Sequence, residues 1–231
     1  MLINNIDILK QNNATLTGRD IQSCTIVTLD EWMDNSLSPN IINQKERYSS
    51  IKVNLLIEGI SEDDVLLKLS NIINSCKSGK LKFRDLSYSY NFILDTHNEK
   101  LVSEKLYELT LNFKCDFKIY EESIISMDRM TSKSFYIAGN TKTPCIVEIT
   151  PLYDTIELVI TGLNERIVIK NLHANKKIII DGIEGTVTEL GANKFADTDF
   201  WEFPFLIPGT NTIGLSKDTC NVTIKYNPRY L

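Results

Sequence analysis

The residues best suited to catalysis are few in this chain and lie far apart in the sequence. Its only histidines are His97, in a predicted turn, and His173, at the polar end of a predicted strand. A nucleophile activated by histidine, or a zinc site, needs several such residues to converge on one point. The sequence also lacks a phosphate-binding loop, a dinucleotide-binding fingerprint, a nucleophile elbow and an H-E-x-x-H helix. We therefore predict that the protein is not an enzyme and has no catalytic residues.

Acidic and sulfur-containing side chains suggest other kinds of site, but none of these patterns is specific. Asp197, Asp199 and Glu202 could be drawn as a calcium loop, yet a closed oxygen shell needs more ligands than this run supplies. Glycoside hydrolysis needs two carboxylates across a cleft, and with 30 Asp and Glu residues some pair must lie close by chance. The five cysteines are odd in number and never form a C-x-x-C pair, which favours buried reduced thiols. We predict no metal ion and no cofactor.

Aromatic residues near the C-terminus are the best candidates for binding a small ligand. Phe200, Trp201 and Tyr226 could together stack on a sugar ring, since aromatic side chains offer a large apolar face. Phe203 follows closely, however, and a tryptophan in such a cluster is more often packed in a core or a protein interface. Residues 195–201 are the predicted contact surface of this region, with core packing the favoured interpretation.

The composition is that of an ordinary soluble globular protein with a mild acidic excess. Of the 231 residues, 42% are hydrophobic and 24% are charged, and the net charge is −5. A chain without basic excess has little electrostatic attraction for nucleic acid or an anionic membrane. No stretch approaches the ~18 apolar residues of a membrane helix, and residues 1–7 lack a basic leader followed by an apolar run. We expect a protein that is assembled in the cytoplasm and has no membrane partner.

The N-terminal half combines several strands with one helix. The helix is predicted at about residues 62–77, because Ser61 and the acidic residues after it suit a helix start and apolar residues then recur at three- and four-residue spacing as far as Cys76. Alternation of apolar and polar residues, or β-branched composition, predicts strands at residues 1–10, 21–29, 51–57, 81–94 and 109–119.

Residues 30–50 interrupt this pattern and are predicted to form a long loop. The segment is polar, yet it contains Trp32, Met33, Leu37 and Ile41. A loop of this length with so much apolar surface needs something to cover it. Two interpretations stand: these side chains fold back on the core of their own chain, or they contact another subunit.

The turn residues of the C-terminal half are spaced as in an all-β domain. Residues 121–134 lose the strand alternation and become polar, so we place the domain boundary there and predict domains at 1–124 and 125–231. Beyond the boundary, apolar runs are separated by Gly, Pro and Asn at about the 8–12 residue spacing of a β-sandwich, and no helix pattern occurs. The predicted fold class is mainly β with one helix.

The turn residues of this half carry a family resemblance. In the order of its two domains and in these turns, the chain resembles the distal tail proteins of long-tailed (siphovirus-type) bacteriophages or prophages. The most specific motifs are Asp181-Gly182, Gly191-Ala192-Asn193, Phe203-Pro204, Pro208-Gly209-Thr210-Asn211 and Pro228-Arg229-Tyr230. The N-terminal match rests on residues 79–83, 88–94 and 109–120, where Cys115-Asp116-Phe117 stands in place of the proline that the family often carries.

The resemblance implies a fold, an assembly and a location. It implies an N-terminal split-barrel-like, ring-forming domain and a C-terminal sandwich of the galectin-like or carbohydrate-module-like kind. Six copies would form a ring at the tail tip of the virion, joining the major tail tube protein to the tail-associated hub or lysin protein. In many phages the ring also seats receptor-binding proteins. DNA would pass through the lumen without specific binding, which suits the acidic charge.

Three hypotheses about function follow from these patterns. The first is a structural hub of the tail tip, with Trp32, Met33, Leu37 and Ile41 as subunit contacts. The alternative is a host-recognition module whose C-terminal sandwich binds carbohydrate through the aromatic cluster. The third, a hydrolase, has the least support, because no specific pair of carboxylates points to it.

Overall fold

The computed structural model describes residues 1–231 and shows a mainly β protein. Strands hold 57% of the residues against 9% for helices, and one helix reaches seven or more residues. This confirms the predicted fold class. The chain divides into two units, one of residues 1–118 together with Leu231 and the other of residues 119–230.

The division lies earlier than the predicted boundary after residue 124. Residues 123–128 form a strand that pairs with 221–226 in the second unit, so this segment belongs to the C-terminal sheet in spite of its polar composition.

The first unit contains β1 (Leu2–Ile3), β2 (Ile6–Asp7), α1 (Ile8–Gln11), β3 (Ala14–Gln22), β4 (Ile26–Glu31), β5 (Asn40–Glu46), β6 (Ser49–Glu58), α2 (Glu62–Ser75), β7 (Ser78–Lys82), β8 (Ser89–Ser103) and β9 (Leu106–Cys115). β10 (Lys118–Ile119) spans the division. The main sheet is antiparallel in the order β2-β1-β7-β8-β9-β6-β3 and does not close into a barrel.

The core of the first unit lies between this sheet and α2. Alternate residues of β6 are fully buried, and Val53 pairs with the equally buried Leu111 of β9. The apolar stripe of α2 contributes Val65, Leu69 and Ile72 to the same core. The helix begins as predicted, because the Ser61 hydroxyl accepts a hydrogen bond from the Asp64 N–H at 3.3 Å.

Two strand predictions in this unit are wrong in detail. Residues 1–10 form a hairpin of two short strands followed by the start of a short helix. The hairpin forms because Asn4 and Asn5 take positive φ values of 50° and 67° and reverse the chain. The predicted strand at 21–29 is broken: β3 leaves its partner β6 after Gln22, and a separate strand starts at Ile26.

The second unit contains β11 (Ser123–Asp128), β12 (Ser132–Ile137), β13 (Thr143–Pro151), β14 (Thr155–Leu163), β15 (Glu165–Leu172), β16 (Ile178–Asp181), β17 (Thr186–Glu189), β18 (Ala192–Asn193), the 3-10 turn η1 (Phe195–Asp197), β19 (Thr198–Asp199), β20 (Phe205–Leu206), β21 (Gly209–Leu215), β22 (Cys220–Tyr226) and β23 (Arg229–Tyr230). One sheet has the order β11-β22-β13-β16-β17-β18, and the other has the order β12-β21-β14-β15-β19. Inward side chains of both sheets form a single core, as a sandwich requires.

The Asp181-Gly182 motif has a structural explanation in this sandwich. The Asp181 carboxylate accepts hydrogen bonds from the N–H groups of Ile183 at 2.8 Å and Glu184 at 3.0 Å, which fixes the turn after β16. A Cβ on Gly182 would lie 2.4 Å from the carbonyl oxygen of Pro204 and 2.7 Å from that of Cys145. The motif therefore shapes the backbone and is not itself a binding site.

Candidate functional site

The predicted loop at residues 30–50 is in fact part of a two-stranded arm, defined here as residues 26–46. Its strands β4 and β5 pair antiparallel with each other in a sheet of their own. Every residue of both strands is exposed. The loop prediction is therefore wrong for residues 40–46, which form β5, whereas residues 32–39 connect the two strands. The polar residues that interrupted the pattern lie on a solvated hairpin, where neither face needs to be continuously apolar.

The four predicted contact residues cluster toward the distal end of the arm. Trp32 is 64% exposed, Met33 59%, Leu37 101% and Ile41 57%. None of them packs in the core of its own chain, so the interpretation in which they fold back is wrong. Contact with another subunit remains a prediction for these residues.

The arm carries further apolar surface that the sequence did not assign to it. Ile26, Val27 and Leu29 lie in the segment 21–29 that was predicted as a strand, and they are 56%, 42% and 59% exposed. Ile42 adds a further side chain at 55% exposure. Exposed apolar surface of this kind is typical of interaction sites. A two-stranded hairpin with no third strand is also only marginally stable in water.

The acidic charge of the arm is concentrated at its distal end. Asp30, Glu31 and Asp34 lie there, whereas the base has mixed charge, with Lys45, Glu46 and Arg47 at or just beyond it. The Arg47 N–H donates to the Thr25 carbonyl at 2.8 Å, which continues the pairing toward the main sheet. A partner surface that fits the distal end therefore combines apolar and basic groups.

The outer face of β9 has the mixed charge predicted from the sequence, and its charges are paired. The Lys114 ammonium lies 2.5 Å from the Asp95 carboxylate, and the Lys100 ammonium lies 3.8 Å from that of Glu108. Exposed pairs of this kind contribute about 0–1 kcal/mol each. They leave the face nearly neutral, with little attraction for an ionic partner.

In the second unit, the three predicted aromatic contacts do not share one surface. Tyr226 is 6% exposed and belongs to the core, because β22 lies between β11 and β13 and its alternate residues point inward. Its assignment as a sugar contact is therefore wrong. Phe200 is half-buried against the same core. Trp201 is 92% exposed, so the favoured interpretation of core packing is wrong for this residue.

The backbone beside Trp201 is held in place. The Glu165 carboxylate accepts hydrogen bonds from the N–H groups of Trp201 at 3.0 Å and Glu202 at 2.9 Å. The indole is thus presented from a fixed turn. Because it is nearly fully solvated in the isolated chain, it is the most accessible aromatic contact in this unit.

Three phenylalanines form a second aromatic group next to this turn. Phe195 and Phe203 are nearly parallel, with ring centroids 6.1 Å apart and an interplanar angle of 27°. Phe200 meets Phe203 edge to face at 5.2 Å. Such pairs contribute about 0.5–1.5 kcal/mol beyond their buried area.

A buried lysine anchors the segment that carries these rings. The Lys194 side chain is 6% exposed, and its ammonium lies 3.1 Å from the Asp197 carboxylate and 3.5 Å from that of Glu189. It also donates to the Asn171 carbonyl at 2.9 Å. Hydrogen bonds from Asn171 and then Lys194 hold the pKa of Asp197 below its usual value.

Two of the three acidic side chains that suggested a calcium loop have protein partners. Asp197 is bound as just described, and Glu202 accepts a hydrogen bond from the Asn164 amide at 2.6 Å. No group of three or more His, Cys, Asp or Glu residues is arranged to hold a metal ion.

The five cysteines are free, and four of them are buried. Burial raises the pKa of the Cys76, Cys115 and Cys145 thiols to about 12. A thiol with so high a pKa is a poor nucleophile and metal ligand. The prediction of buried reduced thiols is confirmed for these residues, whereas Cys24, near the base of the arm, is partly exposed. No helix of the chain has the length and apolar character needed to cross a membrane.

Comparisons with known proteins agree with this architecture. Residues 138–230 match the family model described as the siphovirus-type tail component, C-terminal domain. A sequence search of curated proteins finds no match. Both the family model and the structural comparison below confirm the resemblance drawn from the turn motifs.

Solved phage structures share the fold. The SPP1 Dit (gp 19.1) protein, described as a paradigm of the hub adsorption apparatus in phages that infect Gram-positive bacteria, superposes with a TM-score of 0.82 at 12% identity, over 100% of this chain and 98% of that one. Chains of the phage P2 baseplate in its activated conformation, with Ca and with Sr, give TM-scores of 0.53 and 0.52 at 12% identity, over 94% of this chain and 91% of theirs. Residues 138–230 thus resemble the C-terminal domain of a siphovirus-type tail component, and the chain over its whole length has the fold of SPP1 Dit.

Proposed function

We propose that this protein is the structural hub of a siphovirus-type tail tip, where six copies form a ring between the tail tube and the host-adhesion apparatus. The observation that carries the proposal is the likeness to SPP1 Dit over both units, with no large insertion in either protein, since 100% of one chain and 98% of the other are covered. The family match of the C-terminal unit supports the same role independently.

The arm supports self-association within such a ring. It exposes apolar residues on a hairpin that has no third strand, and apolar side chains at this exposure gain free energy when a partner covers them. At about 25 cal/mol per Å², covering a large exposed side chain such as Trp32 or Leu37 contributes on the order of 1–3 kcal/mol. We propose that Trp32, Met33, Leu37 and Ile41 lie against a neighbouring copy in the ring.

The remaining partners follow from the place of a hub in a tail. The ring would contact the major tail tube protein on one side and the tail-associated hub or lysin protein on the other, and it would seat receptor-binding proteins. Its net charge of −5 suits a lumen through which DNA passes without specific binding. The protein would act in the virion, after assembly in the cytoplasm of the host.

A catalytic role is not part of the proposal. The Nε2 atom of His97 lies 3.9 Å from the Glu99 carboxylate on an exposed stretch of β8. His173 lies at the end of β15 in the other unit. The matching family and structures are tail and baseplate components, which supports a structural role.

Two pairs of matched variants test the ring. Trp32→Ser and Leu37→Ser remove apolar side chains from the arm, whereas Trp201→Ser and Ile60→Ser remove side chains that are 92% and 83% exposed elsewhere. Light scattering after size-exclusion chromatography, and negative-stain electron microscopy, would be applied to the chain alone and co-expressed with tube and hub proteins. We expect rings from the wild type and from the two control variants, and loss of rings from the two arm variants.

Two results would contradict the proposal. A strictly monomeric wild type at high protein concentration, with no ring on co-expression, would exclude the hub role. Rings that form equally well in the arm variants would leave the hub role intact and exclude the arm as the subunit contact.

A second candidate function is saccharide binding by the C-terminal unit, and the exposure of Trp201 favours it. An indole that is 92% exposed on a turn fixed by Glu165 offers an apolar face at little cost in side-chain entropy. A glycan array with the wild type and Trp201→Ala tests this idea. Binding that is absent from the wild type would remove the second candidate.

A further inference from the structure

A pocket of about 430 Å³ opens on the C-terminal unit at β17 and the edge strand β18. The residues that matter for its chemistry are Gly185, Thr186, Thr188, Asn193, Phe195 and Phe203. Pockets of at least ~300 Å³ take small ligands in proteins generally. Trp201 is not among the residues that line it, so the pocket is separate from the exposed indole.

One wall of the pocket is aromatic and preorganised. Phe195 is 48% exposed while Phe203 is half-buried, and their rings lie nearly parallel. Phe200 supports both rings from the side, at centroid distances of 5.8 Å and 5.2 Å. The Lys194 ammonium fixes the chain just before Phe195. The rings therefore already have the arrangement that a ligand would contact, which lowers the entropic cost of binding.

The remaining lining is uncharged and includes three polar side chains beside Val187 and Gly191. Thr186 and Thr188 on β17 bring hydroxyl groups that both donate and accept. The Asn193 side-chain oxygen accepts a hydrogen bond from the Phe195 N–H at 2.9 Å, so the amide is oriented and its nitrogen is the donor left for a ligand. No lining residue carries a charge. An anionic or cationic ligand would find no counter-ion here.

Gly185 leaves the aromatic wall accessible. Its φ of +68° is one that glycine adopts readily. A Cβ built on this residue would lie 3.7 Å from Cε2 of Phe203, in ordinary van der Waals contact with the ring. Any side chain at this position would therefore cover part of the ring that the pocket now presents.

We propose that this pocket binds one neutral hexose unit of a saccharide, with the apolar face of the sugar against Phe195 and Phe203. The sugar hydroxyls are hydrogen-bonded by Thr186, Thr188 and the Asn193 amide. A hydroxyl-rich ring with one apolar face matches a site that combines an aromatic wall with several neutral hydrogen-bonding groups. The proposal rests on the second candidate function and assigns that function to a site other than Trp201.

The test uses the full chain labelled with ¹⁵N and titrated in solution. The probes are the methyl glycosides of glucose, galactose, N-acetylglucosamine, N-acetylgalactosamine and rhamnose. A proline-rich peptide is tested beside them as an alternative, apolar ligand. We expect at least one glycoside to bind saturably with a Kd of about 0.1–10 mM, an affinity typical of single small units with few contacts. The amide signals of Gly185 and Gly191 should move during this titration.

Three variants locate the site. Gly185→Asn places a side chain against Phe203, and asparagine tolerates positive φ better than other residues with a Cβ, so we expect at least tenfold weaker binding with an unchanged melting temperature. Phe195→Leu keeps an apolar side chain but removes the ring, and we expect at least fivefold weaker binding. Trp201→Ala serves as the control and should bind as the wild type does.

The outcomes separate the pocket from the wider function. If no glycoside binds, both the pocket proposal and the second candidate function are wrong. If binding is lost in Trp201→Ala and retained in Gly185→Asn and Phe195→Leu, the pocket proposal is wrong and the second candidate stands. Binding of the peptide with no glycoside binding would also overturn the proposal. The ring assays are unaffected by any of these results.

Discussion

Replacing Lys194 by methionine is expected to destabilise the C-terminal unit strongly. The substitution keeps the length and apolar stem of the side chain but removes its charge. Lys194 is the ionic partner of Glu189, whose Oε1 atom is buried and accepts no hydrogen bond. It also binds Asp197 and the Asn171 carbonyl. Methionine leaves Asp197 and the Asn171 carbonyl without this donor and Glu189 without its counter-charge.

The size of the effect follows from distance and burial. At 3.5 Å, the distance from the Lys194 ammonium to Glu189, a charge pair attracts by about 5 kcal/mol with an effective dielectric constant of ~20, before desolvation is subtracted. Removing one partner of a buried pair typically costs about 3–5 kcal/mol. The Glu189 side chain is 17% exposed and that of Asp197 36%, so water compensates part of this loss. We expect a decrease of about 2–4 kcal/mol in the free energy of unfolding.

Urea unfolding followed by far-UV circular dichroism would measure this change in the transition of the C-terminal unit. Lys177→Met is the matched control, because the Lys177 side chain is 49% exposed while its ammonium lies 2.8 Å from Glu148. Its expected cost is at most about 1 kcal/mol. Adding Glu189→Gln to Lys194→Met should recover part of the loss, since no buried charge then remains unpaired. A loss below ~0.5 kcal/mol for Lys194→Met, or no recovery in the double variant, would refute the reasoning.

Three further predictions concern the pH dependence of stability, the close backbone packing at Gly182 and the reactivity of the thiols. Hydrogen bonds from Lys177 and Lys225 hold the pKa of Glu148 below its usual value of 4.5. The stabilisation from the ionised carboxylate is therefore complete above pH 4.5 and is lost as the pH falls through the lower pKa of the folded state. Glu148→Gln should flatten this part of a plot of stability against pH, and an unchanged slope would contradict the prediction. Gly182→Ala should destabilise the C-terminal unit by about 2 kcal/mol or more in urea unfolding, because the added Cβ meets two backbone carbonyl oxygens. In the native chain a thiol reagent should titrate Cys24 rapidly and the other four cysteines slowly. Any fast-reacting thiol in Cys24→Ser would show that the buried cysteines are accessible and would contradict the prediction.

The regular elements of the N-terminal unit were predictable because their local signals agree with their tertiary surroundings. In β6 and β9, apolar residues alternate with polar ones and the alternate side chains are buried. In α2, the capping serine and the spacing of the apolar stripe specify a helix, and the same stripe packs against the sheet. Where period, cap and burial coincide, sequence alone is sufficient.

The aromatic residues of the C-terminal unit show where prediction from sequence stops. Tyr226 and Trp201 are both large aromatic residues in stretches that mix apolar and polar residues. Tyr226 is buried because β22 lies inside its sheet, whereas Trp201 is exposed because it lies on a turn outside the strands. The order of strands in a sheet depends on contacts distant in sequence, so composition could not separate the two. The pocket beside Phe195 escaped sequence analysis for the same reason.

The sequence by itself determined the fold class, the single long helix and the turns that carry the family resemblance, because hydrophobic period, capping and positive-φ residues act over a few neighbouring residues. Only the tertiary structure decided that residues 26–46 form an exposed arm and that Lys194, Glu189 and Asn171 meet. It alone also brought β17 next to Phe195 and Phe203 to form a pocket. These features depend on which distant segments become neighbours, and no local pattern encodes that.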